Sequence, residues 1–152
     1  MSRRDQIRMS QEEIDEFLQG RHVMNVATLS KDGHPHLVAM WYGFLDGVPA
    51  FWTYGKSQKI LNLRRDPRLT CLVEDGDTYD QLRGVELVGT GELIDDPEVV
   101  LRLGIDLYER YTAPYEDNVR EVLAKTAAKR IAVRIDVRDV VSWDHRKLGG
   151  VY

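Results

Sequence analysis

A single cysteine, Cys71, in 152 residues excludes an intrachain disulfide framework and any cysteine-rich zinc site. Set in the apolar run "RLTCLV", it reads as a small buried hydrophobe rather than a nucleophile. No apolar stretch approaches the roughly 20 residues of a membrane-spanning helix. "MSRRDQIRMSQEE" also lacks the apolar region of a signal peptide, so no membrane partner and a cytoplasmic location are expected. Positive charge is not in excess: 21 Lys and Arg against 25 Asp and Glu leave a net charge of -4. That balance argues against a dedicated nucleic-acid binder. Repeats, low-complexity tracts and Pro/Ser-rich linkers are missing as well. With 43% hydrophobic and 30% charged residues, the chain has the composition of one globular domain spanning 1–152. Residues 1–9 are expected as a flexible extension and 144–152 as a C-terminal tail.

The patterns that are present alternate between the two periods of regular structure. In "MSQEEIDEFLQG", Ser10 and Glu13 have capping-box spacing, Met9 and Ile14 fit a hydrophobic staple, and Gly20 stops the helix. "HVMNVATLS", "HPHLVAMWYGF" and "VPAFWTY" read as strands, separated by the tight-turn chemistry of "KDG" and "LDG". "SQKILNLRRDP" is a short helix ended by Pro67. "RLTCLVED" and "RGVELVGTGEL" are further strands, and Gly84, Gly89 and Gly91 in the second suggest a bulge or a bend. "DDPEVVLRLGIDLYERY" and "YEDNVREVLAKTAAK" are helices, the first with Pro97 in its opening turn. In "RIAVRIDVRDVVSW" apolar residues alternate with polar ones, as in a half-buried strand. Six largely antiparallel strands with peripheral helices predict an α+β protein built on a small Greek-key barrel.

The stretch "FWTYGKSQK" carries the most chemistry. With Ser57 as N-cap of the following helix, free backbone N–H groups and the helix dipole favour an anion, and Lys56 and Lys59 add full charges. A capped helix with two solvated lysines has the same spacing. His34 and His36 share a strand face, but no carboxylate or cysteine lies near them in sequence to complete a metal site. His36 at a ligand edge, His145 in a solvated tail and His22 at a strand start are the other histidine readings. Asp75, Asp77 and Asp80 read as a polar loop, lacking the acid that closes a calcium loop.

"AFWTYGKSQKILNLRRDPRLTCLV" resembles the central block of the split β-barrel flavin and deazaflavin oxidoreductases, the pyridoxamine 5'-phosphate oxidase superfamily. Phe51, Thr53, Ser57, Lys59, Asp66, Pro67 and Arg68 stand where that pattern puts them, and the likeness covers most of the chain from about Ser10. The resemblance implies a six-stranded split barrel and a homodimer, with FMN or the deazaflavin coenzyme F-420 at the subunit interface. It also implies that Lys59 holds the cofactor phosphate, with Ser57 and Gln58 beside it and Lys56 as a second contact for phosphate or an acidic tail. Thr53 and Trp52 would meet the ring or ribityl region. Val38, Ala39, Met40 and Trp41 would run along the ring, with backbone groups reading its polar edge. Tyr42, His36 and Trp143 are the candidate substrate-pocket residues.

Flavin oxidases of this superfamily place basic residues where this chain has Leu37 and Tyr42. Together with the "SWDHRKLGG" ending, that favours the deazaflavin branch. The activity implied is transfer of a hydride from reduced F-420 to a small conjugated acceptor, the cofactor carrying the chemistry without a catalytic side chain. An FMN-binding oxidoreductase and a non-catalytic cofactor-binding protein are the competing expectations.

Overall fold

A computed structural model describes residues 1–150 of the chain. Seven strands form one antiparallel sheet: β1 (Met24–Leu29), β2 (Pro35–Met40), β3 (Gly43–Leu45), β4 (Val48–Tyr54), β5 (Arg68–Asp75), β6 (Arg83–Ile94) and β7 (Arg130–Asp144). Their order across the sheet is β2-β1-β5-β6-β7-β4-β3. β2 and β3 therefore lie at opposite edges, yet only Trp41 and Tyr42 separate them. Three Cα–Cα steps reach roughly 11 Å at most, so the sheet must curl until its edges approach. The result is a barrel with a split, the predicted α+β class.

One strand more than expected arises because "HPHLVAMWYGF" is two strands, not one. Its first part pairs with β1, and its last two residues, Gly43 and Phe44, pair with β4 together with Leu45. The β3–β4 turn is as predicted: Asp46 and Gly47 both take positive φ, 53° and 78°, as a two-residue hairpin loop requires. The bend predicted for β6 is also present. The β6–β7 ladder shifts register between Val88 and Gly89, where a side chain on residue 89 would collide with the Asp136 carbonyl.

Five helices accompany the sheet: α1 (Arg3–Ile7), α2 (Gln11–Leu18), α3 (Gln58–Arg65), α4 (Pro97–Tyr111) and α5 (Arg120–Ala127). The capping box of α2 forms as read from the sequence, Ser10 and Glu13 each bonding the other's backbone N–H, and Met9 and Ile14 are both buried. Within residues 1–9, expected as a flexible extension, lies the short helix α1. It carries a second capping box at Ser2 and Asp5, and the Met9 N–H donates to Ser142 Oγ at 3.1 Å. At the other end the expected tail begins inside β7, with Asp144 buried, and continues as a 3₁₀ turn over His145–Leu148. Its last two residues lie outside the described residues. α5 starts later than predicted, after a short 3₁₀ segment at Asp117–Val119.

The core has two parts. Inside the barrel, Met24, Val26, Tyr42, Phe51, Ile60, Cys71, Val73 and Val133 are fully buried. Burial pushes the Cys71 thiol up to about 12, so it is the small hydrophobe read from its apolar run. Outside, the apolar face of α4 (Val100, Leu103, Leu107) packs with Leu45, Ala50 and Ala132 of the sheet. Each fully buried side chain of this kind contributes about 1.5–3 kcal/mol. Among the described residues, no helix is long and apolar enough to cross a membrane.

Candidate functional site

The split is where the sheet stops satisfying itself. β3 and β4 pair from Leu45↔Val48 to Gly43↔Ala50, and the ladder ends there. Tyr42 would be next in register, but its backbone turns to α4 instead. Its N–H donates to the Tyr111 hydroxyl at 3.3 Å, and its carbonyl accepts from Arg110 Nε at 3.0 Å. β2 therefore has β1 on one side and no strand on the other. Backbone N–H and C=O groups along such an edge remain available to a partner.

Three residues separate the end of β4 from the start of α3. Ser57 is its N-cap, in extended conformation, and its hydroxyl makes no cap bond. Instead it accepts from Thr53 Oγ1 at 3.3 Å. No N-cap side chain therefore occupies the first N–H groups of the helix, which are the kind of donors that can hold an anion. Lys59, in the first turn, is half-buried and has no ion pair among the described residues. Partial burial holds its amine below the ordinary lysine value, since desolvation penalises an unmatched charge. Lys56 is exposed and lines a cavity of about 600 Å³ with Tyr54, Gly55, Asp95, Lys129 and Arg130.

A polar network ties this helix to the barrel. Gln58 Nε2 donates to Asn62 Oδ1 at 2.8 Å, Asn62 Nδ2 donates to Thr28 Oγ1 at 3.0 Å, and Arg65 donates to the Leu29 carbonyl. Asn62 and Thr28 are buried. The Gln58 side chain gives one donor to this network, and its backbone N–H stands in the first turn of the helix. His36 stands opposite Thr28 in the β1–β2 register, with Nδ1 buried and unpartnered.

The remaining predicted residues divide by strand parity. Val38 and Met40 turn toward the barrel interior, while Ala39 and Trp41 lie on the exposed face with Leu37. Thr53 is buried and faces inward; Trp52, next to it, faces outward onto α4 and Arg130. Only one of those two side chains can reach a ligand on a given face. Trp41 is 54% exposed and lies flat on Tyr111, ring centroids 4.6 Å apart and planes 2° apart.

Two pocket expectations are corrected. Tyr42 is fully buried and its hydroxyl donates to the Leu18 carbonyl at 2.6 Å. Burial raises its phenol above the ordinary value, so it is a core residue that shapes the split from beneath. Trp143 packs over Gly84 at the far end of β7 and does not join Trp41. Tyr111, Arg110, Asn62 and Arg130 belong to the site and were not anticipated. Only the adjacent cations Lys129 and Arg130 before a strand offered a signal.

A free strand edge, helix N–H groups without a side-chain cap and a lysine without an ion pair are each of the kind that a phosphorylated, flat, hydrogen-bonding group would use. A flavin or deazaflavin fits that description. Residues 10–144 match the family model described as pyridoxamine 5'-phosphate oxidase. The chain is 28% identical over 125 residues to the F420H(2)-dependent biliverdin reductase of Mycobacterium tuberculosis, covering 81% of this chain and 87% of that protein. Among solved structures, a conserved hypothetical protein from the same organism, Rv2991, superposes with a TM-score of 0.94 at 47% identity, covering 100% of this chain and 95% of that one. An F420 reductase superposes at a TM-score of 0.66 and 24% identity over 83% of this chain and 94% of its own, a likeness of fold.

Proposed function

We propose a function from one premise: the chain belongs to the pyridoxamine 5'-phosphate oxidase family. It is a flavin- or deazaflavin-dependent oxidoreductase that uses reduced coenzyme F-420, in preference to FMN, to reduce a small conjugated organic acceptor. The observation that carries this reading is the open edge of β2 together with the N-terminus of α3, which no side chain caps. The name of the reductase relative supports F-420 over FMN.

In this reading Lys59 and the N–H groups of α3 hold the phosphate. Both attractions are charge-assisted, and partial burial of Lys59 strengthens them by limiting screening. The β2 backbone from Val38 to Trp41 orients the ring, its alternating donors and acceptors matching a polar ring edge. Lys56 adds charge at the rim without fixed geometry. Tyr42, packed below, keeps the strand in place, and the Trp41–Tyr111 pair excludes water from one side. When bound, the cofactor supplies the two-electron hydride chemistry. A second subunit completes the groove, so the protein is a homodimer.

Equilibrium titration of the cofactor-free protein with F-420 and with FMN, followed by fluorescence, tests this. Tighter binding of F-420 is expected. Preference for FMN would move the protein to the flavin branch, and binding of neither would overturn the reading. Light scattering should give a dimer at micromolar concentration; a monomer that binds cofactor tightly would contradict the shared groove. Tight F-420 binding without turnover of any conjugated acceptor would leave a cofactor-binding protein.

A further inference from the structure

Arg130 opens β7 and pairs with Tyr54 across the β4–β7 ladder. Its guanidinium carbon lies 4.9 Å from the Trp52 ring centroid and 4.4 Å from that of Tyr54. Two aromatic rings so placed hold the cation in a fixed position. Arg130 Nε is buried without a hydrogen-bond partner, and no carboxylate among the described residues forms an ion pair with Arg130. Arg134, four residues along the same strand, is matched by both Glu92 and Asp46. Asp95 lines the same cavity as Arg130 but is not paired with it. A guanidinium that is partly desolvated, immobilised and unmatched is a site lacking its anion.

On one side of Arg130 lies a cavity of about 290 Å³ whose walls include Trp41, Trp52, Leu107 and Tyr108. Its shape depends on Gly104: a Cβ there would come within 2.6 Å of the Trp52 indole. Without that side chain, Trp52 lies against α4 and still reaches Arg130. The exposed Trp41, stacked on Tyr111, extends the flat apolar wall. On the other side, Lys56 and Lys129 line the larger cavity and add positive potential. Flat apolar walls ending at one planar cation suit a flat apolar ligand ending in one planar anion. A carboxylate matches the guanidinium fork.

We propose that Arg130 is the specificity-determining residue of a site for planar conjugated carboxylates, which on the functional reading above is the acceptor site. The acceptors favoured are therefore aromatic or polyene acids, in preference to their amides and esters.

Calorimetric titration of the cofactor-free full chain with 2-naphthoate and with 2-naphthamide isolates the charge, since the two probes share a shape. Naphthoate should bind at least about tenfold more tightly, the worth of a charge-assisted hydrogen bond. Arg130→Gln should bring the acid down to the affinity of the amide while leaving the amide's affinity unchanged. That unchanged affinity also shows that the cavity is still folded. Arg130→Lys, which keeps the charge and loses the fork, should retain part of the preference. Equal affinities in the parent protein, binding of neither probe, or a preference that survives Arg130→Gln would overturn the proposal. Because no cofactor is present, failure here is separate from failure of the F-420 reading. If naphthoate binds through Arg130 and F-420 does not bind, the anion site stands and the cofactor assignment falls.

Discussion

β6 and β7 run together from Arg83↔Asp144 to Ile94↔Ala132, and within that span Arg83 is matched by Asp75 and Arg134 by Glu92 and Asp46, while Arg146 just past β7 is matched by Asp144. β2 and β4 are not paired with each other, and Lys56, Lys59 and, at the opening of β7, Arg130 have no ion pair among the described residues. One flank satisfies its own backbone and charges, and the other leaves both available. Unsatisfied groups cost stability, so their concentration at the split marks where a ligand supplies what the fold omits. α4 maintains the difference. Arg110 and Tyr111 take the Tyr42 backbone groups that would otherwise extend the β3–β4 ladder and narrow the split.

The contrast can be broken most severely on the closed flank. Gly89→Ala forces a methyl group onto the Asp136 carbonyl at the register shift. A loss of about 3 kcal/mol is expected from overpacking against backbone. Urea denaturation measures it, and a variant as stable as its parent would show that the ladder yields easily there.

Lys59→Ala tests the open flank. Cofactor affinity should fall by about 1.5–3 kcal/mol, the value of a charge-assisted hydrogen bond. Stability without cofactor should not fall, because the lysine is partly desolvated and unpaired. Unchanged binding in a fluorescence titration would remove Lys59 from the phosphate site.

Asp144→Asn, on the closed flank, should cost about 1–2 kcal/mol at neutral pH. Arg146 donates to this buried carboxylate at 2.7 Å and 2.9 Å, and that hydrogen bonding, foremost among the causes, holds its pKa below 3.8. The unfolded chain binds the proton more readily. The stabilisation is therefore complete above the unfolded value and is lost as pH falls through the folded one. Parent and variant should converge in stability as pH falls below 3.8, and a gap unchanged at low pH would exclude the carboxylate as its source. Arg102→Ala, which removes an exposed pair with Asp46 at 3.4 Å, should change stability by no more than about 0.5 kcal/mol. A larger loss in the same denaturation would mean that this exposed pair also holds α4 to the β3–β4 turn.

Local features were readable from the chain. The Ser10–Glu13 capping box, the Asp46–Gly47 turn, the Ser57 N-cap and the alternation Ile131, Val133, Ile135 each depend on neighbours a few residues away. The break at Trp41–Tyr42 was not, because "LVAMWYGF" continues one strand pattern across it. What ends the strand pairing is a hydroxyl and a guanidinium 69 and 68 residues later. Trp143 went astray for a related reason: an aromatic residue near the end of a strand carries no mark of which cavity it reaches. Arg130 resembled any surface cation until Trp52 and Tyr54 from another strand were found on either side of it.

By itself, then, the sequence determined the elements, the helix that presents a free N-terminus and the lysines beside it, because capping, turn formation and strand periodicity act over short separations. Tertiary structure alone decided that the sheet would curl yet stay open along β2, and which cations would remain unmatched. Both outcomes depend on hydrogen bonds and charges brought together from distant parts of the chain, and those meet only after the barrel has closed around its core.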